Sequence, residues 1–109
     1  MAITERGALK KDDNNVSVGW KFLNITLAAP TTTVVKSGAG VLHTIVFNKP
    51  VATGVVTIYD NTAASGTLIG TITIPASPLP VTLTFDAAFG TGLTIVTATA
   101  AQDLTVTYI

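Results

Sequence analysis

Few side chains in this sequence could do chemistry, and those that could stand far apart. His43 is the single imidazole, in the run Val41-Leu42-His43-Thr44-Ile45. A general base or metal ligand of this kind needs a carboxylate or a second imidazole beside it, and no neighbour in the sequence supplies one. Its spacing from Val41, Ile45 and Phe47 puts it on their face of a strand, as a structural histidine satisfied by a threonine hydroxyl or an interface. Asp60, Asp86 and Asp103 occur singly at expected strand ends or turns, where a carboxylate ordinarily accepts backbone N–H groups. That scatter argues against paired-carboxylate catalysis. The chain has no cysteine, which removes disulfides, thiolate ligands and thiol nucleophiles together. The expectation is a protein that is not an enzyme and carries no cofactor.

Three further patterns invite a binding role. Asp12-Asp13-Asn14-Asn15 sets several oxygens in a row, but it lacks the central glycine and terminal glutamate of a calcium loop, so no metal site is expected. Gly38-Ala39-Gly40 looks like part of a phosphate cradle, yet no lysine-threonine pair or helix follows, and a tight turn is the plainer reading. Trp20, Tyr59 and Tyr108 could form a carbohydrate-stacking platform; core or rim packing is preferred for aromatics so widely spaced.

The elements that must position these residues are legible in the composition. Charged residues make up 11% of the 109, against about 25% in an average soluble domain. Seven of the twelve lie in the first 21 positions: Glu5, Arg6, Lys10, Lys11, Asp12, Asp13 and Lys21. We therefore divide the chain into an extended polar N-terminal arm, residues 1–24, and a domain of Val, Ile, Leu, Thr, Ala and Gly, residues 25–109. Formal net charge is zero, without the basic excess that a phosphate backbone demands, so nucleic acid is not an expected partner. No apolar run approaches the roughly 20 residues that span a bilayer, and the first residues lack a signal-peptide core; neither membrane association nor export is expected.

Within the domain, Val81, Leu83 and Phe85 alternate with Thr82 and Thr84, which marks a half-buried strand. Leu93, Ile95, Leu104, Val106 and Tyr108 repeat the pattern, opposed by Thr94, Thr97, Thr105 and Thr107. Further strands are predicted over 32–36, 41–48, 54–60 and 67–74, with Pro75-Ala76-Ser77-Pro78-Leu79-Pro80 as a loop. Six to eight short strands of this kind predict an all-β fold, an antiparallel β-sandwich or jelly-roll-like barrel. A core built from strands this short is modest, and no disulfide supports it, so a homo-oligomer is expected. Trp20, Phe22 and Leu23 stand where arm meets domain, either as an anchor docking on a partner or as a cover folded back over the sandwich.

The run from Val35 through Gly38-Ala39-Gly40 to Ile45, followed by Gly54-Val55-Val56-Thr57-Ile58-Tyr59-Asp60-Asn61-Thr62, resembles a pattern in small structural proteins of tailed bacteriophages and prophages. The stretches Gly92–Thr97 and Asp103–Tyr108 are similar to the same group. Leu9-Lys10-Lys11-Asp12-Asp13-Asn14-Asn15-Val16-Ser17-Val18 resembles an Arg-Asp-X-Asn-X-Val-Pro-Val segment near the start of phage virion proteins, with Lys11 in place of the arginine and Ser17 in place of the proline. The resemblance implies a capsid decoration or cement protein: a β-rich knob, commonly a trimer, made in the host cytoplasm. It would sit on the capsid surface of the virion and bind the major capsid protein through its arm. Lys10, Lys11, Asp12, Asn14, Asn15, Trp20 and Phe22 are then the expected contact residues. The alternatives are a head-fibre, tail or neck component, or a carbohydrate-binding adhesion module.

Overall fold

Alternation of β-branched or aromatic residues with threonine dictates strands, and the computed structural model, which describes residues 10–11 and 17–109, contains strands without a helix among those residues. Two short ones, β1 (Lys10–Lys11) and β2 (Ser17–Val18), pair antiparallel. Eight more follow: β3 (Lys21–Ile25), β4 (Thr31–Ser37), β5 (Gly40–Lys49), β6 (Val55–Asp60), β7 (Thr67–Thr73), β8 (Val81–Phe89), β9 (Gly92–Ala98) and β10 (Asp103–Tyr108). They form two four-stranded antiparallel sheets, ordered β3-β10-β5-β8 and β4-β9-β6-β7, the two layers of a β-sandwich.

The pairing is nested. β6 pairs with β7, β5 with β8, β4 with β9 and β3 with β10, as in one long hairpin four pairs deep. This ribbon is rolled so that alternate pairs fall in opposite sheets. The contacts β10·β5 and β9·β6 then join neighbouring turns of the roll.

The core lies between the sheets. Leu42, Ile45 and Phe47 of β5, Leu104 and Val106 of β10, Val56 and Ile58 of β6, and Leu93 and Ile95 of β9 are all buried. Leu83 and Phe85 of β8 pack against them, on the side predicted from their alternation with Thr82 and Thr84. Thr97 departs from the expected pattern. Sequence spacing grouped it with the outward threonines, but it shares its parity with Leu93 and Ile95, pairs with Thr31 and is buried. Its hydroxyl has no hydrogen-bond partner among the described residues, nor has that of Thr33 two positions along β4. A β-branched stem fills the space that valine would, and the hydroxyl is an unreturned desolvation cost.

The sheet also begins earlier than composition suggested. Residues 21–24 fall within the polar 1–24 segment, yet Lys21, Phe22, Leu23 and Asn24 pair with Tyr108, Thr107, Val106 and Thr105. Leu23 and Ile25 supply the inward apolar face that makes this pairing worthwhile, packed on and within the core respectively.

Candidate functional site

The most unusual side-chain arrangement sits on the outer face of the β3-β10-β5-β8 sheet, and two register shifts create it. Thr107 and Tyr108 of β10 are consecutive, but their partners on β5 are Thr44 and Leu42, so His43 is an extra residue on that side. Across the other edge, Leu42 and Thr44 face Ala87 and Thr84, which leaves Phe85 and Asp86 opposite His43 alone. Asp86 takes a left-handed φ of 47°, which asparagine and aspartate tolerate better than most residues. The expectation that His43 shares a face with Val41, Ile45 and Phe47 is thus corrected. The bulge sends Leu42 into the core and turns the imidazole outward.

There His43 Nδ1 meets Asp86 Oδ1, supplying the carboxylate that no sequence neighbour could. The indole of Trp20 lies on the imidazole, with ring centroids 4.4 Å apart and planes 11° from parallel. Its Nε1 is buried without a hydrogen-bond partner among the described residues. Beside it on β10 and β5, the hydroxyls of Thr107 and Thr44 are 2.6 Å apart, and Thr44 N–H donates to Thr107 Oγ1 at 3.1 Å. Phe22, two residues after Trp20, projects from the same side of β3 and is 72% exposed.

A second polar group occupies the far end of this face. Asn24 Nδ2 donates to Asp103 Oδ1 (2.9 Å) and to the Leu104 carbonyl (2.8 Å), while Asn48 Nδ2 donates to Asp103 (3.1 Å) and Thr105 Oγ1 (3.0 Å). The Asn24 and Asn48 amides, with the charge of Lys49, hold the Asp103 carboxyl below its ordinary value. This is a pin joining β3, β10 and β5. Among the described residues, no group of three or more His, Asp or Glu side chains could hold a metal ion.

Asp60, at the end of β6, fastens the β8–β9 turn. Its carboxylate accepts N–H groups from Gly90 (2.9 Å), Thr91 (2.8 Å) and Gly92 (3.3 Å), a long-range version of the turn role expected for it. The Gly90 bond, then those of Thr91 and Gly92, hold the Asp60 carboxyl below its ordinary value. The folded state therefore binds protons less readily here than the unfolded chain, whose aspartates titrate near about 3.9. Stability from this anchor is complete above that value and is lost as pH falls through the lower folded value. Equilibrium urea unfolding from pH 7 to pH 2 should show that acid-side loss, and Asp60→Asn should reduce the slope while lowering stability at pH 7.

The opposite end of the sandwich holds two features. Gln102, between β9 and β10, is buried and behaves like one residue of a strand. Its Oε1 accepts Val51 N–H (2.7 Å), and its Nε2 donates to the carbonyls of Val51 (3.0 Å) and Ala100 (3.4 Å). Gly54 is needed beside it, because a Cβ there would come within 2.1 Å of Nε2. Nearby, the edges of β7 and β8 stand apart around an apolar cleft of about 410 Å³. Phe47, Ile72, Ile74 and Leu83 line it with Pro50, Pro75 and Pro78, and no charged residue contributes. Leu79, 78% exposed between Pro78 and Pro80, forms part of its wall.

Of the contact residues read from the sequence, Lys10 and Lys11 form β1, Trp20 stacks on His43, and Phe22 is exposed on the adjoining strand. Asp12, Asn14 and Asn15 lie outside the described residues. The three aromatics considered as a carbohydrate platform are not brought together. Trp20 is on the outer face of one sheet, Tyr59 of β6 belongs to the other sheet, and Tyr108 packs against the core. Sequence reading missed Asp86 as a partner of His43 and Gln102 as a bridge. Comparison with family models, with curated proteins and with solved structures finds no match to this chain.

Proposed function

We propose that this chain is a structural protein of a tailed-bacteriophage virion, a capsid decoration or cement protein that binds the outer head surface without catalysing a reaction. The nested strand order, β3-β10-β5-β8 facing β4-β9-β6-β7, is read here as the wrapping of an eight-stranded jelly roll, an architecture used by viral capsid and lectin domains among others. Fold alone does not assign a role. The observation that carries the proposal is the way the N-terminal segment is rooted: Trp20 is stacked on His43 and the next five residues are a strand of the sheet. A segment used as a tether must transmit load to the domain, and hydrogen bonding along β10 does so. Exposed Phe22 beside the root offers an aromatic contact of the kind enriched at interfaces.

The partners in this reading are the major capsid protein and further copies of the chain, as a trimer. Self-association is favoured by the uncharged cleft between β7 and β8 together with Leu79 on its rim, a knob held between two prolines beside a hole of matching character. The dispersal of Trp20, Tyr59 and Tyr108 argues against the carbohydrate-binding alternative.

The test uses purified expanded phage heads and chains that differ only in their first residues. The full chain is expected to bind in hundreds of copies per head, and a chain lacking residues 1–18, still folded, is expected to lose at least about tenfold in affinity, the equivalent of roughly 1.4 kcal/mol. Undiminished binding by the shortened chain would remove the arm from the role given it. Sedimentation of the full chain should give a trimer, with Leu79→Asp shifting it to monomer.

A further inference from the structure

The chain has one histidine and one tryptophan, and the fold lays one on the other. We propose that Trp20, His43 and Asp86 form a proton-operated clasp on the root of the N-terminal segment, which protonation of His43 tightens and loss of that proton loosens. The inference concerns the domain itself and does not depend on a capsid partner.

The geometry defines both states. Asp86 as a carboxylate can only accept, so the hydrogen shared with it resides on Nδ1 of His43, and the titrating proton arrives from solvent at Nε2. The neutral ring keeps its hydrogen bond to Asp86 and lies under the indole as one flat surface on another. The protonated ring adds a positive charge between a carboxylate and the face of the largest aromatic side chain, and both contacts then attract it more strongly. Imidazole changes charge between about pH 5 and 8, and no other side chain here has an unperturbed range in that window.

An opposing cost keeps the clasp near balance. Trp20 Nε1 is buried without a hydrogen bond among the described residues, so releasing the indole to water restores a bond that stacking forfeits. One proton is enough to shift such an equilibrium, because the gain from a cation on an indole and the cost of one unmade hydrogen bond are similar in size.

Among the described residues, the charges around the ring are few. Asp86 comes from β8; Thr107 of β10 and Thr44 of β5 are neutral. Lys21 and Tyr108, cross-strand partners on β3 and β10, fall by alternation on the opposite face from Trp20 and Phe22. Asp103 and Lys49 lie at the far end of the sheet.

The single tryptophan reports its own release. Acrylamide, a neutral quencher, should quench Trp20 emission in the full chain about two- to fivefold more effectively at pH 8 than at pH 5.5, the ratio that a cation–π contact of about 0.5–1 kcal/mol sets. His43→Gln should show the pH 8 behaviour at both values. Asp86→Asn, which suits the left-handed backbone at that position, should lose part of the difference, because the carboxylate no longer favours the protonated ring while the stack remains. His43→Asn replaces the glutamine variant if that one disturbs the bulge, and near-ultraviolet circular dichroism checks that each variant is folded. Equal quenching of the unaltered chain at both pH values overturns the clasp outright. Retention of the difference in a folded His43 variant, or its full retention in Asp86→Asn, overturns the assignment of these residues.

Discussion

Phe47→Ala is expected to destabilise the domain by about 3–5 kcal/mol, a large part of what a domain of this size possesses. Phe47 is fully buried on β5, which has a partner on each side, and it faces Leu104 on one and Val81 on the other. Removing the ring takes away contacts with both sheets. β5 and its neighbour β10 are hydrogen-bonded on both edges, which limits their collapse into the space, and the new void would join the apolar cleft that Phe47 helps to line. Urea unfolding at one fixed protein concentration measures the loss, since association would otherwise change the apparent value. Phe22→Ala is the matched control. Its ring is exposed, and truncation there should change stability by no more than about 0.5 kcal/mol.

The second large effect is expected from a change of one atom. Gln102→Glu keeps the shape of the side chain and replaces the donor Nε2 with an oxygen that faces the carbonyls of Val51 and Ala100. A buried carboxylate between two carbonyl acceptors loses two hydrogen bonds and gains repulsion, which together cost about 3 kcal/mol or more at pH 7. The substituted carboxyl escapes the penalty by taking up a proton, because its hydroxyl can then donate to Val51. Folding therefore raises its proton affinity above that of the unfolded glutamate, near about 4.3. The variant should approach the stability of the original chain below that value and lose it as pH rises through the folded value, the reverse of the Asp60 dependence. Thermal unfolding of the two chains at pH 4 and pH 7 separates these trends. No deficit at pH 7 would show that the amide acts only by filling space.

How much of this was legible beforehand depends on the range of the signal. Period-two alternation is local, and it located the half-buried face of β8 from Val81, Leu83 and Phe85 directly. The strands and the all-β class followed from the same pattern, which left sandwich and barrel open; the division into two sheets depends on pairings between distant strands. The β3 strand was obscured because Phe22 places a large apolar side chain on the solvent side, which breaks the alternation carried by Leu23 and Ile25. His43 was assigned to the wrong face for a related reason. Alternation counts residues, and a bulge inserts one without changing the composition. Asp86, 43 positions away, and Gln102, 51 positions from Val51, become partners only when distant strands are laid side by side, and no spacing rule reaches that far.

The rolled ribbon has a consequence for how the chain acquires its structure. The innermost hairpin, β6 with β7, is bridged by the six residues 61–66, a short loop and a cheap closure. Once it forms, β5 and β8 are held near one another, and each outer pair inherits ends already brought close by the pair inside it. Closing β3 against β10 directly from an open chain would instead require fixing ends some eighty residues apart, at far greater entropic expense. The economical route winds outward from the middle of the sequence. The strand that carries Phe22, and the Trp20 stack just before it, then come to rest last, so the root of the N-terminal segment is assembled only on a finished sandwich.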